Sequence, residues 1–170
     1  NNIFNWTGFG INVPLQSATV PVAGPAQTNF WRITNNDFYY DLVSPAATAQ
    51  TAINFMPSGG ATNISYGNVI SNNSIGGRAP NCGLMGDYWV NTASAPFTGI
   101  ALSVGSSFET EVKNNVIKNI NLTTISGATS FTGIVSNSQG WTKVDSNQVG
   151  DLNTTHAIKI SGTGNSFGFR

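Results

Sequence analysis

One motif recurs five times along this chain, and its internal spacing leaves very few architectures open. In its fullest form it reads Glu111-Val112-Lys113-Asn114-Asn115-Val116-Ile117-Lys118-Asn119-Ile120. Anchored on the second Asn, or on the Asn of the Ser-Asn variant, the copies fall at Asn2, Asn36, Asn73, Asn115 and Asn147, at intervals of 34, 37, 42 and 32 residues. Ile33, Ile70, Val112 and Val144 stand three positions before the anchor, and Phe4, Phe38, Ile75, Ile117 and Val149 stand two positions after it. A small residue followed by Ile answers each copy downstream, at Gly10-Ile11, Ala52-Ile53, Gly99-Ile100, Gly133-Ile134 and Ala157-Ile158.

The parity of these positions decides the type of repeat. Inward residues of one β-strand are separated by even intervals, whereas the two apolar positions around the anchor are five apart. The chain must therefore turn a corner between them, at the Asn, whose tolerance of left-handed backbone suits it to that place. Stacked corners put Asn amides about 4.8 Å apart, within hydrogen-bonding reach along the stack. The expected ladder is Asn36, Asn73, Asn115 and Asn147, with Ile53, Ile100, Ile134 and Ile158 in one inward column. A helical repeat fits badly, because apolar residues do not recur at three-four spacing and the copies are rich in Val, Ile, Thr, Phe and Asn.

Length and charge narrow the function. A chain of 170 residues with 39% hydrophobic content is enough for one domain with a continuous core. Only 8% of residues are charged and the formal charge is zero, so solubility rests on Asn, Ser, Thr and Gly, a pattern of secreted β-proteins. Such a chain has no electrostatic footprint for nucleic acid, and no apolar run is long enough to cross a bilayer as a helix. A lone Cys82 excludes an internal disulfide framework and a Cys-rich metal site.

Between the repeats the chain varies in length. Pro14 to Gln27 reads as a loop, and Gly76 to Ala95, the longest insertion, carries Arg78, Cys82, Met85, Asp87, Tyr88 and Trp89. Solenoids behave this way, since insertions leave at the turns while the stacking strands keep their length. The series Asn72-Asn73-Ser74-Ile75-Gly76-Gly77, Tyr88-Trp89-Val90-Asn91, Phe97-Thr98-Gly99-Ile100, Val112 to Ile117 and Phe131-Thr132-Gly133-Ile134 resembles the repeats of large secreted or cell-surface proteins of Bacteroidota. The resemblance is good over about Ile64 to Arg170. It implies export by a type IX secretion system and a right-handed parallel β-helix. The expected fold is thus an all-β, right-handed parallel β-helix, a solenoid of about five coils, with residues 1–170 forming one segment of it.

Resemblance to β-helical polysaccharide lyases and hydrolases makes carbohydrate cleavage the natural enzyme hypothesis, which requires acids converging on one face. The columns do not supply them: Ile3, Asp37, Ser74, Val116 and Gln148 follow the anchors, and Thr34, Ser71, Lys113 and Asp145 precede them by two. Lys113 and Asp145 share a column and suggest an exposed ion pair of little worth. Asp37 and Asp41 read as turn residues, Glu109 and Glu111 as solvated charge, and the sole His156 lacks the companions a metal site needs. Trp6, Trp31 and Trp141 read as packing residues. The best ligand-binding candidates are Arg78, Asp87, Tyr88 and Trp89, an aromatic pair beside polar groups, as sugar rings or partner proteins stack against. No catalytic set, cofactor or metal is expected. The reading is an extracellular or cell-surface structural or adhesive segment, non-enzymatic, with a carbohydrate-active enzyme or sugar-binding module, and a filament subunit, as alternatives. The chain starts on the motif and stops at Gly164 to Arg170 without an edge-covering element, so the expected partners are further repeats or subunits at open ends, and surface polysaccharide.

Overall fold

The computed structural model describes residues 1–4, 9–13, 30–43, 48–56, 67–106, 108–125, 129–137, 140–152, 157–162 and 165–169. These contain 17 strands and no helix. The first repeat supplies β1 (Asn2–Phe4) and β2 (Phe9–Val13), and the second β3 (Arg32–Thr34), β4 (Asp37–Tyr39) and β5 (Gln50–Phe55). The third runs through β6 (Val69–Ser71), β7 (Ser74–Ile75), β8 (Trp89–Asn91) and β9 (Phe97–Leu102). In the fourth come β10 (Thr110–Lys113), β11 (Val116–Ile117), β12 (Ile120–Ile125) and β13 (Thr129–Ser136), and in the fifth β14 (Thr142–Asp145), β15 (Gln148–Val149), β16 (Ile158–Gly162) and β17 (Asn165–Phe169).

Each of the last three repeats visits four sheets in the same sequence. An approach sheet (β14-β10-β6-β3) leads to the corner, a departure sheet (β1-β4-β7-β11-β15) leaves it, a flank sheet (β16-β12-β8) follows, and a return sheet (β17-β13-β9-β5-β2) closes the circuit. Every pairing is parallel and joins equivalent strands of neighbouring repeats. Side chains therefore stack in columns. Ile33, Ile70, Val112 and Val144 form one, and Phe38, Ile75, Ile117 and Val149 another. Alternation produces them: in β10, Thr110 and Val112 are buried while Glu111 and Lys113 turn outward.

The corner divides its work between two residues. The left-handed conformation belongs to the residue before the anchor, with φ of 57° at Asn35, 54° at Asn72, 55° at Asn114 and 53° at Ser146. The anchor itself points its amide inward. Nδ2 of Asn36, Asn73 and Asn115 donates to Oδ1 of the next anchor at 2.9, 2.9 and 2.8 Å. The second amide hydrogen of Asn73, Asn115 and Asn147 goes back to the carbonyls of Ile33, Ile70 and Val112, at 2.9, 2.9 and 2.7 Å. Each Oδ1 of Asn73, Asn115 and Asn147 also accepts the main-chain N–H of the preceding anchor, at 3.0 to 3.1 Å. These amides sit in an apolar interior with their hydrogen-bonding capacity filled, as buried polar groups must.

Three expectations need correction. The first anchor is Asn1, which donates to Asn36 Oδ1 at 3.2 Å, 35 residues away, while Asn2 pairs with Asp37 in the departure sheet. Two adjacent Asn residues open that copy, and only register separates them; Ile3, not Phe4, is the partner of Phe38. The Ile column of the return sheet is Ile11, Ile53, Ile100 and Ile134, and it ends on Phe169, because Ala157-Ile158 belongs to the flank sheet, where Ile158 pairs with Ile120. The fifth small residue is accordingly Gly168. A reason for small residues in that column is steric: a Cβ on Gly99 would lie 2.6 Å from both the Gly133 carbonyl oxygen and Ile117 Cδ1. Finally, Trp31 and Trp141 are exposed rather than packed, for they adjoin β3 and β14, the two outer strands of the approach sheet. Trp6 lies outside the described residues.

The core runs without interruption from Ile33 to Ile134 and includes a line of rings, Tyr40, Trp89, Phe97 and Phe131, with Trp89 and Phe97 centred 4.4 Å apart.

Candidate functional site

The long insertion after β7 is held down by a backbone suited to turning and by one buried amide. Gly76, Gly77, Asn81, Cys82, Gly83 and Gly86 all have positive φ, conformations that Gly adopts freely and Asn tolerates. Beneath the loop lies Asn119, fully buried. Its Nδ2 donates to the carbonyls of Cys82 and Leu84 at 2.7 and 3.0 Å, and its main-chain carbonyl accepts N–H groups from Gly77 and Trp89 at 3.0 and 2.9 Å. Asn119 escapes a reading by motif because it is one Asn among many in a repeat whose anchor lies four residues earlier.

Four residues of this insertion are the sequence-derived ligand candidates, and they separate. Trp89 is 1% exposed and packs between Tyr40 and Phe97, so it serves the core and offers no face to a ligand. Arg78 donates Nε and a terminal N–H to the Asp41 carbonyl at 3.1 and 2.5 Å, and approaches Asp87 only at 4.0 Å. Tyr88 lies under the Lys159 ammonium, 4.3 Å from the ring centre. Asp37 Oδ1 accepts the Asn81 N–H at 2.8 Å. Arg78, Tyr88, Asp37 and the Asp41 carbonyl thus fasten the loop to its neighbours, and no common ligand position is defined by them. Cys82 is buried, its Sγ 3.7 Å from the Val116 carbonyl, and burial pushes its thiol up to about 12, only partly offset by the Lys118 charge.

A second region concentrates charge. Of seven basic and seven acidic residues, three of each stand at the outer face of the approach sheet or its lead-in: Arg32, Lys113 and Lys143 with Glu109, Glu111 and Asp145. Lys113 shares a column with Asp145 but pairs with Glu111, two residues back on its own strand. That hydrogen bond and charge hold the Glu111 carboxyl below its usual range. Asp145 accepts instead from Ser146 Oγ at 3.1 Å.

The third feature is the open face of the fifth repeat. A cavity of about 710 Å³ there is lined chiefly by Val149, Ile158, Ile160, Phe131, Phe167 and Phe169. Another of about 280 Å³ lies between Leu102, Ile134, Val144 and Phe169. Lys118 and Asp151, 3.1 Å apart and each about one-fifth exposed, bridge the fourth and fifth repeats at its rim.

Among the described residues no group of three His, Cys, Asp or Glu side chains comes together to hold a metal ion, and His156 lies outside them. No described helix is long and apolar enough to cross a membrane. No protein family, curated protein or solved structure matches the chain.

Proposed function

We propose that the chain is a right-handed parallel β-helix of about five coils, and that it serves outside the cell or on its surface as a structural and adhesive repeat segment without enzymatic activity. The fixed visiting order of the sheets and the parallel pairing throughout support the solenoid, and parallel crossovers are almost always right-handed. Low charge and abundant Asn, Ser, Thr and Gly support the location.

One observation carries the structural role. Inward columns that are closed in the middle repeats open at the fifth: Ile70 and Val112 are 0% exposed but Val144 is 43%, and Ile53 and Ile100 are 0% but Phe169 is 54%. Four strands, β14 to β17, also form the outer edge of all four sheets at this end. Apolar interior and unpaired strand edges together are what another layer of parallel strands would cover. In this reading the layer comes from further repeats or from a second subunit, and a filament is the same contact repeated head to tail. Sedimentation and light scattering of the 170-residue chain provide the test. Concentration-dependent association is expected, weakened by Phe169→Lys; a monodisperse monomer across the concentration range would defeat the idea. Incubation with polysaccharides is expected to give no cleavage products.

A further inference from the structure

The outer face of the approach sheet is not flat, and the reason is legible residue by residue. At the three successive outward positions the third repeat places small side chains or none, Gly67, Val69 and Ser71. The second repeat places Phe30, Arg32 and Thr34 along one side of them, and the fourth places Glu109, Glu111 and Lys113 along the other. Short residues between longer ones make a trough of about 600 Å³ that runs parallel to the strands. From Gly67 to Ser71 it extends about 13 Å at 3.3 Å per residue, and its side strands stand about 9.6 Å apart, two strand spacings. The Phe30 ring overhangs one end: a Cβ on Gly67 would be 3.4 Å from Phe30 Cε1.

We infer that this trough is a binding site for a neutral glycan chain, lying along the strands. Three observations select that ligand. The trough balances two cations, Arg32 and Lys113, against two carboxylates, Glu109 and Glu111, so its lining carries no net charge to favour an anion or a cation. Its groups suit hydroxyls, which can donate to a carboxylate and accept from a guanidinium at once, while an aromatic ring meets the apolar face of a pyranose. Arg32 has no ion pair among the described residues, and Glu111 is paired along its own strand to Lys113 rather than across the floor. An extended peptide is the competing ligand, but it would find no main-chain edge here, because β6 is already paired on both sides, to β3 and β10. The two carboxylates stand on one wall with Arg32 opposite, and the role assigned to the site is holding a chain.

This inference supplies a ligand for the adhesive part of the proposed function, and its test is separate from that of end-to-end association. Cellotetraose, xylotetraose and mannotetraose, with tetragalacturonate and an alternating Val-Thr hexapeptide as comparisons, are titrated by calorimetry into the full chain, with association state followed by scattering in the same samples. At least one neutral tetrasaccharide is expected to bind with Kd on the order of 1 mM or tighter. Val69→Trp, which fills the floor from the solvent side, is expected to reduce binding at least about tenfold, and Arg32→Ala about tenfold, with circular dichroism and melting unchanged. Absence of binding by all three neutral sugars, preference for the polyuronate or the peptide, or binding indifferent to both substitutions would overturn it. A monomer that binds sugar, or an associating chain that does not, separates this reading from the stacking one.

Discussion

Replacing Asn115 with Ala removes four hydrogen bonds in the middle of the ladder. Its Oδ1 accepts from Asn73 Nδ2 at 2.9 Å and from the Asn73 main chain at 3.1 Å, and its Nδ2 donates to Asn147 Oδ1 at 2.8 Å and to the Ile70 carbonyl at 2.9 Å. Asn73 is 1% and Asn115 0% exposed, so water has no ready access to the groups left behind. Two of them are donors, and an orphaned buried donor costs about 1–3 kcal/mol, giving about 2–6 kcal/mol for the substitution. Asn147→Ala is the internal control: Asn147 is half-buried at the open end, where water can replace it, and about 1 kcal/mol is expected. Asn115→Asp keeps the shape but aims an oxygen at the Asn147 Oδ1 and Ile70 oxygen. It should destabilise more than Ala at neutral pH and recover as pH falls, because the protonated acid can again donate one hydrogen bond. Urea unfolding at several pH values measures all three. A loss for Asn115→Ala under about 1 kcal/mol, or no greater than for Asn147→Ala, would refute the claim that the ladder satisfies buried backbone.

Two further outcomes follow from burial. Ile134→Ala, at 2% exposure, should cost about 2–5 kcal/mol, whereas Val144→Ala, in an inward column but 43% exposed, should cost under about 1 kcal/mol; equal losses in urea unfolding would mean that the fifth repeat is covered in solution. Cys82 should resist thiol reagents until the chain unfolds, and its pushed-up thiol gives a definite sign: the unfolded chain releases the proton near 9.0 and the folded chain only near 12. The stabilising contribution is complete below pH 9.0 and then falls by about 1.4 kcal/mol per pH unit toward 12. Rapid labelling of the native chain, or an alkaline slope unchanged in Cys82→Ser, would contradict this.

The corner motif was legible because two constraints meet there. Odd spacing between apolar positions demands a turn, and a buried amide needs a partner above and below, so residue identity and register fix each other at Asn36, Asn73, Asn115 and Asn147. Where only one constraint operates, the reading slips. At Asn1-Asn2 either Asn satisfies the motif, and only the pairing of Asn2 with Asp37 separates them. Ala157-Ile158 looks like the small-plus-Ile pair of the return sheet, but the flank sheet also accepts an inward Ile, beside Ile120. Trp89 and Trp31 show the same limit from the other side. Both adjoin or occupy a strand, yet Trp89 is enclosed by neighbouring repeats while Trp31 adjoins an outer strand, and composition does not encode that difference.

The trough was invisible to a search for recurrence for a physical reason. Inward positions are held to one size and polarity because each must fit the residue above and below it in a close-packed column. Outward positions escape that demand. Val69 can stand between Arg32 and Glu111 with no penalty to the stack. Anchoring on what repeats therefore finds the scaffold, and the proposed recognition surface lies in departures from the repeat, where one repeat carries Gly67, Val69 and Ser71 and its neighbours carry charge and rings. Lengthening Val69 should therefore erase a site with little effect on the core, while shortening an inward neighbour such as Ile70 should damage the fold without addressing the ligand directly.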